Sequence, residues 1–315
     1  MAKAKFDKDN FIMNKLLLFL TLLISKETFS NDLNIFVISD LNGRYGSTHY
    51  SEDVRKSIEY IIKEKPDLVL SGGDHVAGQK AGLNYQAMWD SFHEYVTLPL
   101  SKNSIPFFPT PGNHDASTYN AFKKEREIYK KNFTIPKGEI NKVDIKNFPL
   151  NYAFSLKNTL FISLDATGLK LGPTQISWLE DLLKKQREKY KWVIFFGHVP
   201  LIPVAVNREN DYLRDRELFN LLKRHDVSLW ISGHHHAYYP GKKDGVKFVS
   251  LSCLGGGSRK LIGDTKISKK GILKIKITST AIQVEGLDSR NNFLRIKKEA
   301  LPVSIGKNQH LLERD

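Results

Sequence analysis

The chain has 315 residues, of which 41% are apolar and 11% aromatic, and a single cysteine, Cys253. That composition builds a core and excludes wholesale disorder, while one cysteine excludes both an intramolecular disulfide framework and a thiolate zinc module. Lys and Arg outnumber Asp and Glu by 48 to 34, a formal charge of +14. Such a field suits anionic partners: phosphorylated small molecules, acidic envelope polymers or nucleic acid. The bland alternative is that the lysines only solvate the surface.

Residues 16–24 (LLLFLTLLI) are apolar, follow Lys15, and precede a polar stretch ending Thr28-Phe29-Ser30. A charged start, a short apolar segment and small residues at −3 and −1 are the order of a secretory signal. The apolar run is too short to span a bilayer, which takes roughly 20 residues. We therefore expect residues 1–30 to be an N-terminal extension and signal peptide, starting naturally at Met13 and cleaved after Ser30. An uncleaved anchor is the competing reading. Cleavage implies export, to the periplasm or the outside, with no stable membrane span once the signal is gone. It removes five lysines and three acidic residues and leaves +12 of the +14, so the basic character belongs to the folded part.

From residue 34 strand-like and helix-like segments alternate. Residues 35–39 (IFVIS) form a short apolar strand ending at Asp40. Residues 51–65 carry Val54, Ile58, Ile61 and Ile62 at helical spacing, and Pro66 stops them. Residues 68–70 predict a second strand, residues 85–98 a helix ended by Pro99, residues 105–109 a third strand, and residues 118–132 a basic helix. Residues 152–156 and 159–164 predict a hairpin turning at Lys157-Asn158. Residues 174–189 form an amphipathic helix with Pro173 at its start. Strands follow at 193–196 and 228–232, separated by a helix at 215–224, and further strands at 247–254, 272–278, 281–285 and 293–296. Cys253 falls in the first of these last runs and reads as buried. A βαβαβα start followed by mixed and antiparallel strands predicts a layered α/β sandwich. No linker divides it.

Five times an apolar strand is followed at once by Asp, Asn or His, usually after Gly: Asp40-Leu41-Asn42, Gly73-Asp74, Gly112-Asn113-His114-Asp115, Gly197-His198 and Gly233-His234-His235-His236. Ligands of open α/β sheets bind beyond the carboxyl ends of strands. Imidazole with carboxylate suits zinc, iron or manganese better than calcium. Each piece alone is an ordinary cap or turn; the five in this order are not.

The set resembles the calcineurin-like metallophosphoesterase superfamily, whose pattern is D-x-H, G-D, G-N-H-D/E, G-H and G-H-x-H. The match runs from Asp40 to His236, and Gln175-Ile176-Ser177-Trp178-Leu179-Glu180 also resembles it. The resemblance implies an α/β/β/α sandwich of two mixed sheets, with the metal site at the strand C-terminal ends. It makes residues 31–300 the metallophosphoesterase domain and residues 301–315 a C-terminal tail. It implies two metal ions, of Mn, Fe or Zn, with Asp74 bridging. Asp40, Asp74 and His236 hold the first ion; Asp74, Asn113, His198 and His234 hold the second. His114 contacts phosphate and protonates the leaving oxygen, with Asp115 orienting it. Metal-bound hydroxide attacks phosphorus in line.

The chain departs from the pattern at Asn42, which replaces the first-motif His. Three readings follow for the first ion: Asn42 binds it, Tyr45 or His49 does, or the site is weak; the first is preferred. The purple acid phosphatase branch also lacks that His but has a Tyr three residues after the second-motif Asp, where this chain has Ala77. Its tyrosinate colour is therefore expected to be missing. His235 and His75 read as structural. Gly255-Gly256-Gly257-Ser258-Arg259 reads as a phosphate loop or a plain turn. The expected function is an exported two-metal phosphoric-ester hydrolase acting on a phosphorylated small molecule, a phosphomonoesterase ahead of a phosphodiesterase or nuclease. Nucleic acid is the less favoured partner, because no basic stripe interleaved with aromatics is present. A metal-binding protein with little turnover is the reading from another class.

Overall fold

A computed structural model describes residues 32–315; the expected signal segment lies outside them. The elements in order are β1 (Leu33–Ile38), α1 (Glu52–Glu64), β2 (Leu68–Ser71), α2 (Tyr85–Phe92), α3 (Leu98–Lys102), β3 (Phe107–Phe108), α4 (Asn113–Ala116) and α5 (Lys123–Asn132). Then come β4 (Asn141–Asn147), β5 (Asn151–Leu156), β6 (Thr159–Ser163), α6 (Pro173–Gln186), β7 (Trp192–Gly197), α7 (Arg216–Arg224) and β8 (Leu229–Ser232). The chain closes with β9 (Tyr239–Lys243), β10 (Val246–Ser250), β11 (Gly271–Ile277), β12 (Ile282–Asp288), β13 (Leu294–Arg295), β14 (Ser304–Ile305) and β15 (Leu312–Arg314).

These strands form two mixed sheets. The order is β13-β12-β11-β1-β2-β3 in one and β14-β15-β9-β10-β8-β7-β6-β5-β4 in the other. The layering follows from the two-residue period of a strand. In β1, Ile35 and Val37 enter the core between the sheets, while Phe36 and Ile38 pack with Val54, Ile58 and Ile61 of α1. In β7, Ile194 and Phe196 join the same inter-sheet core, while Val193 and Phe195 face Leu179 and Leu183 of α6 and Leu218 of α7. Strands buried on both faces need continuous apolar runs, which is what IFVI and VIFF are. The result is the expected α/β/β/α sandwich.

β1, β2 and β3 are parallel, as are β6, β7, β8 and β10, so their carboxyl ends rise on one side of each sheet. The five motifs follow β1, β2, β3, β7 and β8.

Several boundaries differ from the sequence reading. Pro99 does not end the helix begun at Tyr85: a π turn (His93–Thr97) leads into α3, where Pro99 lies in the first turn. A proline is tolerated there because its missing N–H would have no intrahelical partner. The basic helix starts five residues later than expected, at Lys123. β10 ends at Ser250, so Cys253 is buried in the following loop rather than in a strand. Besides β14 and β15 at the C-terminus, two strands were not anticipated. β4 is a partly exposed edge with few apolar residues, and β9 contains Pro240 and Gly241, which speak against a strand in sequence. The stretch read as a tail is not one throughout: β15 pairs with β9, and β14 with β15, so it completes the edge of the nine-stranded sheet.

Candidate metal centre

Three of the five loops turn through left-handed backbone at a candidate ligand. The φ angles are 52° at Asp40, 56° at Asp74, 65° at His234 and 52° at His236. Residues other than glycine hold this conformation only where their surroundings impose it, and such outliers collect at functional sites. Here the imposing bonds run between motifs. The Asp40 N–H donates to the Gly73 carbonyl at 3.0 Å, the Leu41 N–H to the Asp74 carbonyl at 2.9 Å, and the His234 N–H to Asp40 Oδ2 at 3.1 Å. Gly112 is required by proximity: a Cβ there would collide with the Asp74 amide nitrogen and Oδ1.

Donor atoms of Asp40, Asp74 and His198 lie within 4.8 Å of one another, and all three residues are buried. Around His198 Nε2 stand Asn113 Oδ1 at 3.0 Å, His234 Nδ1 at 3.2 Å and Asp74 Oδ2 at 3.3 Å. The other His198 nitrogen, Nδ1, is 2.7 Å from the Gly72 carbonyl. A carbonyl only accepts, so Nδ1 carries a proton, and Nε2 is the nitrogen that faces the cluster and binds an ion once its own proton is displaced. Asn113 is set in the same way: its Nδ2 donates to Gln79 Oε1 at 3.0 Å, which leaves Oδ1 aimed inward. His236 places Nδ1 at the Gly257 carbonyl, 2.9 Å away, and Nε2 at Asp40 Oδ1, 3.0 Å away. His234 turns its Nε2 to within 3.0 Å of Asp211 Oδ2, without the alignment of a hydrogen bond.

The electrostatics match a cation site. Burial opposes charge on Asp74, but His198 and His114 outweigh it and hold its carboxyl well below the usual carboxylate range. Burial also opposes charge on Asp40, and His236 reverses it downward. Against the same burial, Asp74 raises His198 to about 9 and Asp40 raises His236 to about 10. Buried carboxylates with no lysine or arginine bonded to them borrow imidazolium protons, the role a divalent ion takes when bound. Asn42 supplies the direct test of fit at the first ion. Its Oδ1 is buried and has no hydrogen-bond partner among the described residues. An orphaned carbonyl oxygen in a loop shared with Asp40 is what a ligand without its ion looks like. The alternatives fare worse. Tyr45 is 56% exposed and its ring lies 5.6 Å from that of His114, while His49 is exposed.

Two reassignments follow. His114 is not oriented by Asp115. Its backbone N–H donates to Asp74 Oδ1 at 2.9 Å, and its Nδ1 lies 3.1 Å from the Gly78 carbonyl, so Nε2 is the nitrogen left to act. Asp115 instead accepts from the N–H groups of His75, Val76 and Gly112, and its Oδ2 is 2.6 Å from His75 Nδ1. His75 Nε2 is in turn 2.6 Å from Ser71 Oγ. This fully buried Ser71–His75–Asp115 chain ties the second and third motifs together. His235 is structural as expected. Its Nδ1 accepts from the Val204 N–H, its Nε2 donates to the Asp211 carbonyl, and burial pushes its pKa down to about 3. Asp211, Gln79 and the Gly78 carbonyl escaped the sequence reading, because each sits in a loop with no motif around it.

The calcineurin-like phosphoesterase family profile matches residues 33–238, and the chain belongs to that family, whose members use a dinuclear metal centre. It is 30% identical to purple acid phosphatase 18 of Arabidopsis thaliana over 184 residues, 55% of this chain and 40% of that protein. It is 28% identical to human tartrate-resistant acid phosphatase type 5 over 201 residues, 58% of this chain and 59% of that protein. The chain thus spans about half the length of these relatives. Its fold superposes on a purple acid phosphatase from yellow lupin seeds with a TM-score of 0.65 at 18% identity, over 84% of this chain and 52% of that one.

Proposed function

We propose that the protein is an exported two-metal phosphoric-ester hydrolase acting mainly on phosphomonoesters. The observation that carries this is the convergence of Asp40, Asp74, Asn113, His198, His234 and His236 from five loops and two sheets onto one cluster, with His114 beside it. Asp40, Asp74, His236 and Asn42 would hold one ion, and Asp74, Asn113, His198 and His234 the other. When bound, the ions neutralise phosphoryl oxygens and activate the attacking water. The chain's own residues do the rest. The Gly78 carbonyl fixes the His114 tautomer, so that Nε2, once protonated, delivers its proton to the leaving oxygen. The exposed Tyr45 ring beside His114 forms a wall for the leaving group.

The test is hydrolysis of p-nitrophenyl phosphate against bis(p-nitrophenyl) phosphate by manganese-loaded chain from residue 31. A clear monoester preference is expected, and a diester preference would move the protein to phosphodiesters. Export is supported by the order of residues 15–30. Intact mass of the exported protein should correspond to a start at residue 31.

A further inference from the structure

Beside the metal cluster lies a cavity of about 740 Å³ that the phosphoryl chemistry does not use. One wall is the loop Gly255–Ser258. Its first two residues can pass where they do only without side chains: a Cβ at Gly255 would collide with the Leu41 and Asn42 carbonyls, and one at Gly256 would lie 2.8 Å from His236 Cε1. The Gly257 carbonyl receives His236 Nδ1, so the cavity wall and a metal ligand are one piece. The Gly255 N–H is spent on the Asp40 carbonyl at 2.8 Å. The next three amides, of Gly256, Gly257 and Ser258, have no acceptor among the described residues. Successive unspent N–H groups are an anion-binding feature.

The opposite lining is basic. Arg44, Lys269, Lys270 and Arg290 face one carboxylate, Asp288. Two of the four are committed: Arg290 Nη2 is 2.9 Å from Asp53, and Lys270 Nζ donates to the Leu254 and Gly255 carbonyls at 3.1 and 2.9 Å, bracing the loop. The other two are more open. Lys269, 65% exposed at its side chain, makes one loose ion pair, 3.7 Å from Asp288, and the exposed Arg44 guanidinium has no ion partner among the described residues. Arg44 follows Asn42 by two residues, so it stands at the seam between cavity and cluster.

We propose that the substrate carries a second phosphate on its leaving group, seated in this cavity by the Gly256–Ser258 amides, Arg44 and Lys269. The proposal rests on the phosphoesterase reading. It makes the preferred substrate a small bisphosphate rather than a simple monoester, and gives part of the folded chain's excess positive charge a local role.

The test compares kcat/KM of the manganese-loaded chain on propyl phosphate and on 1,3-propanediol bisphosphate, with butane and pentane homologues to scan the spacing. One or two added charge-assisted hydrogen bonds predict a preference of about tenfold or more for the best bisphosphate, carried by KM and weakened by salt. The doubly substituted R44A/K269A chain should lose that preference, with an unchanged Tm because both side chains are exposed. No hydrolysis of p-nitrophenyl phosphate overturns the phosphoesterase reading and this proposal with it. Hydrolysis with no bisphosphate preference, or a preference that survives R44A/K269A, overturns this proposal alone. Affinity that grows with oligonucleotide length would also overturn it, and would assign the cavity to nucleic acid.

Discussion

In the proposed ligand set, Asn42 is the residue on which the first ion depends. An amide oxygen is a weaker, neutral donor than the imidazole it replaces, yet it is buried without a hydrogen-bond partner among the described residues. Asn42→Ala should cost about 10- to 100-fold in affinity for one of the two ions, by the measure of other site substitutions. Metal titration followed by mass spectrometry of bound ions would show it, and full occupancy of both sites in the variant would remove Asn42 from the ligand set. Loading should also depend on pH. With His198 raised to about 9 and His236 to about 10, both are charged at neutral pH in the metal-free protein, and an ion must displace their protons. Apparent affinity should therefore climb from pH 6 to 9, with proton release visible by calorimetry in buffers of different ionisation heat; a flat profile would contradict this. The sign for metal-free stability is the opposite. Both pKa values lie above the ordinary imidazole value of about 6.5, so the stabilisation is complete below it and is lost as pH rises through 9 and 10.

At the scale of the element, each strand hands its charge to the site through a loop too tight for ordinary residues. Gly112, between β3 and α4, is the tightest: any side chain there meets Asp74, the residue proposed to bridge the two ions. Gly112→Ala should destabilise the fold by about 1–3 kcal/mol, the usual cost of overpacking, and displace Asp74. A chemical-denaturation midpoint and a metal count on the same sample would check both effects; a variant with normal stability and two bound ions would show that the loop yields freely. The Ser71–His75–Asp115 chain explains why the loops stand firm. It binds the residue after Asp74 to the residue that caps Gly112, so two motifs move as one unit.

For the whole molecule, the sheet edge matters most. Leu312 of β15 is 2% exposed and lies directly over Gly241 of β9, in the core with Val246 and Phe248. Leu312→Ala should cost about 2–5 kcal/mol, the range for a buried leucine, measured by urea unfolding. A loss under about 0.5 kcal/mol, the range of an ordinary surface substitution, would make the C-terminal stretch an accessory after all. The cluster itself belongs to this scale. Asp40, Asp74 and Asn113 follow strands of one sheet, and His198 and His234 follow strands of the other. Anything that loosens the inter-sheet core of Phe108, Phe154, Phe161 and Ile231 should loosen the site.

The strands that carry motifs were legible in sequence because double burial demands apolar runs, and the charged residues at their ends break those runs abruptly. The candidate ligands were legible for the same reason, as was the likeness to one family. β4 and β9 were not, since an exposed edge and a proline-bearing strand lack the pattern that burial imposes. The part played by Asp115 was also hidden. Its neighbour in sequence is His114, but its partners in space are His75 and three backbone amides, and hydrogen bonding obeys distance rather than order. Asp211, Gln79 and the cavity at Gly255–Ser258 likewise come into being only when loops far apart in the chain meet. The sequence by itself determined which residues are able to bind metal and which strands deliver them. Only the tertiary structure decided which nitrogen of each histidine faces the cluster, because that choice is made by carbonyls and, for His234, by the Asp211 carboxylate, contributed from elsewhere in the fold.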